Sequence, residues 1–198
     1  MKIPLKINII TLMLNTMKKN ILIILLALFS LQAFSQENMV TLSGGYSFAN
    51  LEESETKGTG WRINGLYEFN PQESKLAHGV SFGYIRLSAT DNVGEGTITN
   101  TVNSFPIYYA PKFMFGKEKF KVFIKGALGM QIADLKREGI RELNDVDFGF
   151  YGGGGAGLMI FLKENIFING EYEIAWASNS WYGDGWINTA GGGIGFKF

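Results

Sequence analysis

The chain has no cysteine, one histidine and four prolines in 198 residues. Without cysteine there are neither disulfides nor thiolate metal sites, and His78 leaves only carboxylates to complete a metal centre, so no cofactor is expected. Long apolar runs are missing too. Ile21–Phe29 (ILIILLALF) is far short of the roughly 20 residues a membrane-spanning helix needs. Basic charge is scarce beyond residue 35, where 14 Lys and Arg face 18 Asp and Glu, a net −4. That balance gives no electrostatic case for binding nucleic acid. Helical periodicity is absent beyond residue 36.

The N-terminus has a processing pattern. Lys18 and Lys19 precede the apolar run, and Ala33-Phe34-Ser35 offers small residues where a signal peptidase reads, before Gln36. A basic segment, a short apolar core and an A-x-S site predict a secretory signal peptide over residues 17–35. No cysteine follows the site, which excludes a lipoprotein signal. A retained anchor is the weaker alternative, because the apolar core is too short to span. A signal starting at Met17 is complete without residues 1–16, which read as an upstream start assigned too early. The expected mature chain, residues 36–198, is one domain by length.

What is abundant is glycine. All 26 glycines lie beyond residue 35, about twice ordinary usage. Gly152, Gly154 and Gly157 spell G-x-G-x-x-G, with Glu171 and Glu173 about twenty residues on, the outline of a dinucleotide fingerprint. That reading requires a helix after the glycines. The following LMIFLKENIFING offers none, and the chain is expected to leave the cytosol.

The glycines sit instead in alternating strands. Val40, Leu42, Gly44, Tyr46 and Phe48 share one parity against Thr41, Ser43 and Ser47. Trp61, Ile63, Tyr67 and Phe69 alternate with Arg62, Asn64 and Glu68. Val122, Ile124 and Leu128 alternate with Lys121 and Lys125, and Ile168, Tyr172, Ile174 and Trp176 alternate with Asn169, Glu171 and Glu173. Period two means strands with one apolar and one polar face. Eight are predicted: 39–49, 59–70, 78–90, 97–115, 119–133, 146–162, 166–178 and 186–198. Most reach the 9–11 residues that cross a membrane as tilted strands. Polar connections (LEESETKG, NVGEG, DLKREGIRELND, SNSWYGD) alternate with tighter ones (GKE, KEN). A soluble sandwich also alternates, but its polar face would carry many charges, whereas here that face is largely Gly, Ser, Thr and Asn. Aromatics cluster near strand ends, as in two interfacial girdles. The fold class predicted is all-β: an eight-stranded antiparallel up-and-down transmembrane β-barrel, residues 36–198, preceded by the cleavable signal peptide.

The last strand, NTAGGGIGFKF, the glycine-rich FIKGALGM and FGFYGGGGAGLMIF, and EYEIAW resemble the small eight-stranded outer-membrane barrels, the OmpA/OmpX/OmpW-like outer membrane protein beta-barrel domain. The resemblance covers nearly all of residues 36–198. It implies the outer membrane of a Gram-negative envelope, outer-membrane lipid as surroundings, and capture by the barrel-assembly machinery through a C-terminal signal at Ile194, Phe196 and Phe198. Gln36 after the cleavage serine is similar to Bacteroidetes exports. The peptidoglycan-tethering role of OmpA belongs to a further domain and is not carried over.

Inside a narrow barrel, charges must be paired. The polar parity predicts a lumenal ion-pair cluster of Lys121, Lys125 and Lys197 with Glu68, Glu171 and Glu173. Glu171 and Glu173, at i and i+2, also suit acid–base chemistry, and His78 invites comparison with lipid-modifying barrels. However, His78 falls at the periplasmic rim, away from the outer-leaflet lipid such enzymes attack. Pro106 and Pro111 lie within a strand and predict bulges. Arg86, on the apolar parity, predicts either a bulge or a side chain reaching the interface. Trp181 and Tyr182 in the loop SNSWYGDGW are expected to be exposed contact residues for an unknown surface partner. The function expected is a non-enzymatic structural or surface-interaction barrel acting through its outer loops. The alternative is a narrow, porin-like channel for small or hydrophobic solutes, as resemblance to OmpW implies. A lipid-modifying enzyme ranks last.

Overall fold

The computed structural model describes residues 36–71, 74–94, 96–117, 119–139 and 143–198. The signal-peptide and start-site expectations lie outside the described residues. Nine antiparallel strands occur among them: β1 (Gln36–Leu51), β2 (Lys57–Pro71), β3 (Leu76–Val93), β4 (Gly96–Tyr109), β5 (Lys112–Lys117), β6 (Phe120–Glu138), β7 (Leu143–Lys163), β8 (Ile166–Ala177) and β9 (Tyr182–Lys197). β4 and β5 sit in tandem as one position, each paired with β3 and β6; the other strands pair with their sequence neighbours, and β1 pairs with β9. The result is a closed ring of eight positions.

The two parities separate as the alternation predicts. Leu42, Ile63, Phe82, Ile124, Leu128, Ile174 and Ile194 face outward and are exposed, forming the apolar belt. Polar groups on this belt satisfy one another. The Tyr172 hydroxyl donates to Asn188 Oδ1 at 2.8 Å, and Tyr84 donates to Asn103 Oδ1 at 2.8 Å. Aromatic rings mark both edges. Trp61, Tyr84 and Phe105 make one chain of contacts with centroids 5.1 and 5.0 Å apart. Phe69, His78 and Tyr109 stack at the opposite end.

The strand predicted over 97–115 is one ring position interrupted at Ala110 and Pro111. The bulges expected at its prolines are not there. Val80↔Tyr109 and Ala77↔Lys112 hold one register with β3, and Tyr109↔Leu128 and Lys112↔Lys125 hold one with β6. Each proline ring instead lies over a glycine of the next strand. A Cβ on Gly83 would sit 3.0 Å from Pro106 Cγ, and one on Gly126 would sit 3.3 Å from Pro111 Cγ. The register shifts fall elsewhere, between Ala49 and Leu51 and between Phe161 and Lys163. The β2–β3 register is also unbroken past Trp61↔Arg86, so Arg86 stays in the strand and points outward.

The outer connections are shorter than expected, because DLKREGIRELND and NVGEG are largely strand. β7 has 21 residues, roughly 70 Å of extended chain at about 3.3 Å each, about twice what a tilted crossing needs. The surplus projects outward. Beyond the row Arg86↔Asn103↔Asp134, the outward face turns polar with Ser88, Thr90, Thr99, Thr101, Lys136 and Glu138. The β3–β4 and β6–β7 hairpins thus stand above the belt as a four-stranded extension.

The lumen is not uniformly polar. Ile85, Leu87, Val102, Leu135 and Ile187 fill its outer half. Met39, Met114, Phe123, Met159 and Phe167 fill the other end. Glycine makes room for the rings. A Cβ on Gly157 would lie 2.5 Å from Phe123 Cζ, and one on Gly195 would lie 2.7 Å from Phe167 Cε1. Both rings are fully buried and have nowhere to retreat. Gly157→Val and Gly195→Val are each expected to destabilise the detergent-folded barrel by about 1–3 kcal/mol through overpacking. Gly170→Ala, whose Cβ meets nothing nearer than 3.9 Å, is expected to leave it unchanged. Urea unfolding followed by the heat-sensitive gel shift of folded barrels measures all three.

Candidate functional site: a charged plug in the lumen

Five strands send long polar side chains to the middle of the lumen. β2 supplies Arg62 and Asn64, β4 supplies Tyr108, β6 supplies Lys125, β7 supplies Tyr151, and β8 supplies Glu171 and Glu173. Glu173 is the hub. Its Oε1 accepts hydrogen bonds from Arg62 Nη1 and, at 2.7 Å, from the Tyr151 hydroxyl. Its Oε2 lies 2.8 Å from Lys125 Nζ and 3.3 Å from the Tyr108 hydroxyl. Lys125 also donates to both Glu171 oxygens at 2.8 and 3.0 Å. Arg62 Nη2 donates to Tyr108 Oη at 2.6 Å. Two cations meet two carboxylates, so the cluster is neutral. Arg62, Lys125 and Glu173 are all buried.

The glycine run explains how these groups meet. Lys125, Gly155 and Glu173 occupy one cross-strand row. β7 presents no side chain there, so lysine and glutamate bond across it. Gly152 and Gly154 share the opposite parity from Gly157, so the fingerprint glycines fall on both faces of a sheet and cradle nothing.

Of the expected cluster, the structure brings together Lys125, Glu171 and Glu173. Glu68 pairs instead with Lys112, Nζ to Oε2 2.8 Å, and that ammonium lies 4.7 Å from the Phe123 ring centroid. Lys121 and Lys197 are placed elsewhere. Both line a cavity at the periplasmic mouth, with Lys121 Nζ over the Phe161 ring at 5.3 Å. The correction comes from position along the strand, because Lys121 is two inward-facing positions from Lys125, with Phe123 between them. Arg62 shares the inward parity of Asn64 and Glu68, which was the available signal for it. Lys112, Tyr108 and Tyr151 carried no signal beyond parity.

Trp181 and Tyr182 need the opposite correction. Tyr182 is buried, its hydroxyl 2.5 Å from Ser104 Oγ, and Trp181 packs against the outer apolar layer. The short β8–β9 connection folds over the mouth and turns both rings inward. Gln131 Nε2 donates to Asn179 Oδ1 at 2.5 Å beside them. The β1–β2 connection completes this cap. Arg137 bonds Glu53 at 2.8 Å, Asn100 Nδ2 donates to Ser54 Oγ at 2.8 Å, and the Thr56 N–H donates to Asp91 Oδ1 at 2.9 Å. Burial alone would raise the Asp91 carboxyl. Hydrogen bonds from Thr56, Ser54 and Glu55 outweigh it and hold the group below the usual aspartate value. Ile194, Phe196 and Phe198 all point outward on β9 and just beyond it, with the Phe196 and Phe198 centroids 6.1 Å apart.

Glu173→Gln leaves two buried cations short of one carboxylate and is expected to cost about 3–5 kcal/mol. Glu171→Gln leaves Lys125 its bond to Glu173 and is expected to cost less. The midpoints of thermal unfolding in neutral detergent should therefore fall in the order wild type, Glu171→Gln, Glu173→Gln.

Several solved barrels share this architecture. The Neisserial surface protein A matches with a TM-score of 0.59 at 10% identity, over 81% of this chain and 97% of its own. A major outer membrane protein from Thermus thermophilus matches with a TM-score of 0.50 at 10% identity, over 82% and 99%. Ail of Yersinia pestis matches with a TM-score of 0.49 at 21% identity, over 81% and 99%. At these identities the likeness to the first two shows the fold alone. No curated protein matches by sequence. The model of one family, described as the outer membrane protein beta-barrel domain, matches residues 21–198. A closed antiparallel ring with an apolar exterior agrees with that description, and the chain belongs to the outer membrane protein beta-barrel domain family.

Proposed function

We propose that this outer-membrane protein is a sealed, non-enzymatic barrel whose role is carried by the hairpins standing above the outer leaflet, where they meet a surface partner. The observation that carries the reading is the filling of the lumen from its outer mouth to the apolar layer above the periplasmic vestibule. A loop cap, an apolar layer, the Arg62–Glu173–Lys125 plug and a second apolar layer succeed one another along the axis. The void beside the plug, between Ser43, Arg62, Glu171 and Gly191, has a volume of about 10 Å³, room for about one water. Eight strands leave an interior that side chains can fill, and here they do.

The channel reading draws on the cavity at the periplasmic mouth, but the plug lies between that cavity and the outside. The enzyme reading has less support. Glu171 and Glu173 are both held in ion pairs with no substrate-sized space beside them. His78 stacks between Phe69 and Tyr109 on the lipid-facing parity, its Nδ1 2.5 Å from the Tyr109 hydroxyl. No helix among the described residues is long and apolar enough to cross a membrane.

The purified barrel in planar bilayers is expected to give no resolved conductance steps; stable steps from the wild-type chain would favour the channel. Lipid mass spectrometry of cells lacking or overproducing the protein should show identical profiles. A membrane-impermeant amine reagent on intact cells should label Lys136 on the extension and spare Lys125.

A further inference from the structure

The periplasmic mouth opens into a cavity of about 1000 Å³, and the charge in its lining is mostly lysine. Lys75, Lys121, Lys163 and Lys197 come from the ends of four different strand positions; Lys75, Lys121 and Lys197 carry the inward parity, and Lys163 joins the lining just past the register shift that ends β7. Lys119 from the β5–β6 turn joins them. Glu164 is the acidic residue lining the cavity among the described residues. Asn70, also in the lining, is almost fully buried. Its Nδ2 donates to the Ser74 carbonyl at 2.7 Å, while its Oδ1 has no partner among the described residues. Met114 and Phe161 add apolar surface inside, and the lining runs on to Phe115 and Leu162, which face the lipid.

Clustered ammonium groups in a concave site attract anions. A buried acceptor without a donor is costly unless something donates to it. The two together call for one ligand with an anionic group and a hydroxyl. The apolar layer of Met114, Phe123 and Phe167 ends the cavity on its inner side, so the ligand enters and leaves by the periplasmic face.

We infer that the periplasmic vestibule is a binding site for a phosphate ester bearing a hydroxyl group. The phosphate sits among Lys75, Lys121 and Lys163, and the hydroxyl donates to Asn70 Oδ1. Two sources supply that chemistry: the glycerol-phosphate headgroup of an inner-leaflet lipid, its chains lying along Phe115 and Leu162, or a soluble phosphate of the periplasm.

The test uses the whole mature barrel in dodecyl maltoside at low salt. One arm titrates it with glycerol 1-phosphate by calorimetry. The other follows retention of phosphatidylglycerol against phosphatidylcholine by native mass spectrometry. Saturable binding in either arm is expected, weakened about tenfold or more in Lys121→Gln/Lys163→Gln through the loss of charge-assisted hydrogen bonds. Lys136→Gln, on the opposite rim, should change nothing. Binding confined to the lipid arm identifies the headgroup as the source, and binding confined to the soluble arm identifies the free phosphate. Asn70→Leu should weaken glycerol 1-phosphate more than inorganic phosphate. All variants should keep the heat-sensitive gel shift. Absence of saturable binding in both arms, or equal binding by the folded double variant, overturns the site.

Discussion

A backbone crossing hydrocarbon finds no water to bond with, so each N–H and C=O must be paired within the protein. A sheet meets that demand only by closing. Here closure occurs at eight positions, with β1 on β9 completing the ring. Closure at so small a number makes the lumen narrow, and that narrowness governs how the interior is filled. Side chains from opposite walls meet at the axis, so any charge there must find its counter-charge within the barrel. Wherever two rings or an ion pair need the same space, an intervening strand must give up its side chain. The glycines of β7 and β9 are that concession. Gly155 lets Lys125 reach Glu173, and Gly157 and Gly195 leave volume for Phe123 and Phe167.

The same narrowness makes the two ends different. On the outer side the strands continue past the belt, so the mouth is walled by β3, β4, β6 and β7 and roofed by the β1–β2 and β8–β9 connections. Its polar contacts, Arg137 to Glu53 and Gln131 to Asn179, tie roof to wall. On the periplasmic side the strands stop at tight turns, and nothing comparable covers the mouth among the described residues. Inward lysines there line open space. One barrel thus presents a closed, structured surface outward and a basic concavity inward.

Much of this was legible in the sequence because period two is a strong signal when one face must meet lipid. Strand positions, facing parity, the even ring and the girdles all derive from it. The lumen was less legible because parity says which residues point inward and not how far along the axis each lies. Lys121, Lys125 and Lys197 look alike on parity, yet Lys125 reaches the plug and Lys121 the vestibule. Composition misled in two places. The inward face is rich in Gly, Ser and Thr, which hid the layers built from Ile85, Leu87, Val102 and Ile187. Trp181 and Tyr182 sit among loop residues, and nothing in their local pattern says that the connection folds inward. The prolines misled for a related reason, because the facing Gly83 and Gly126 are visible only once strands are paired.

The plug also explains why a lumen that is apolar above and below keeps charges at its middle. A buried ion pair adds little stability over well-packed apolar groups of the same size. Its effect on alternatives is larger. Sliding a strand by one residue exchanges its faces, and in this barrel that would turn Arg62, Lys125, Glu171 or Glu173 toward hydrocarbon. A lysine or arginine at the bilayer midplane costs about 2–4 kcal/mol, and the displaced residue would also abandon partners on other strands. Glycine-rich strands such as β7 and β9 hold their register weakly by side-chain packing. β8 lies between them and carries Glu171 and Glu173, whose bonds reach back to β2 and β6. The charged centre therefore fixes the alignment of the strands least able to fix their own.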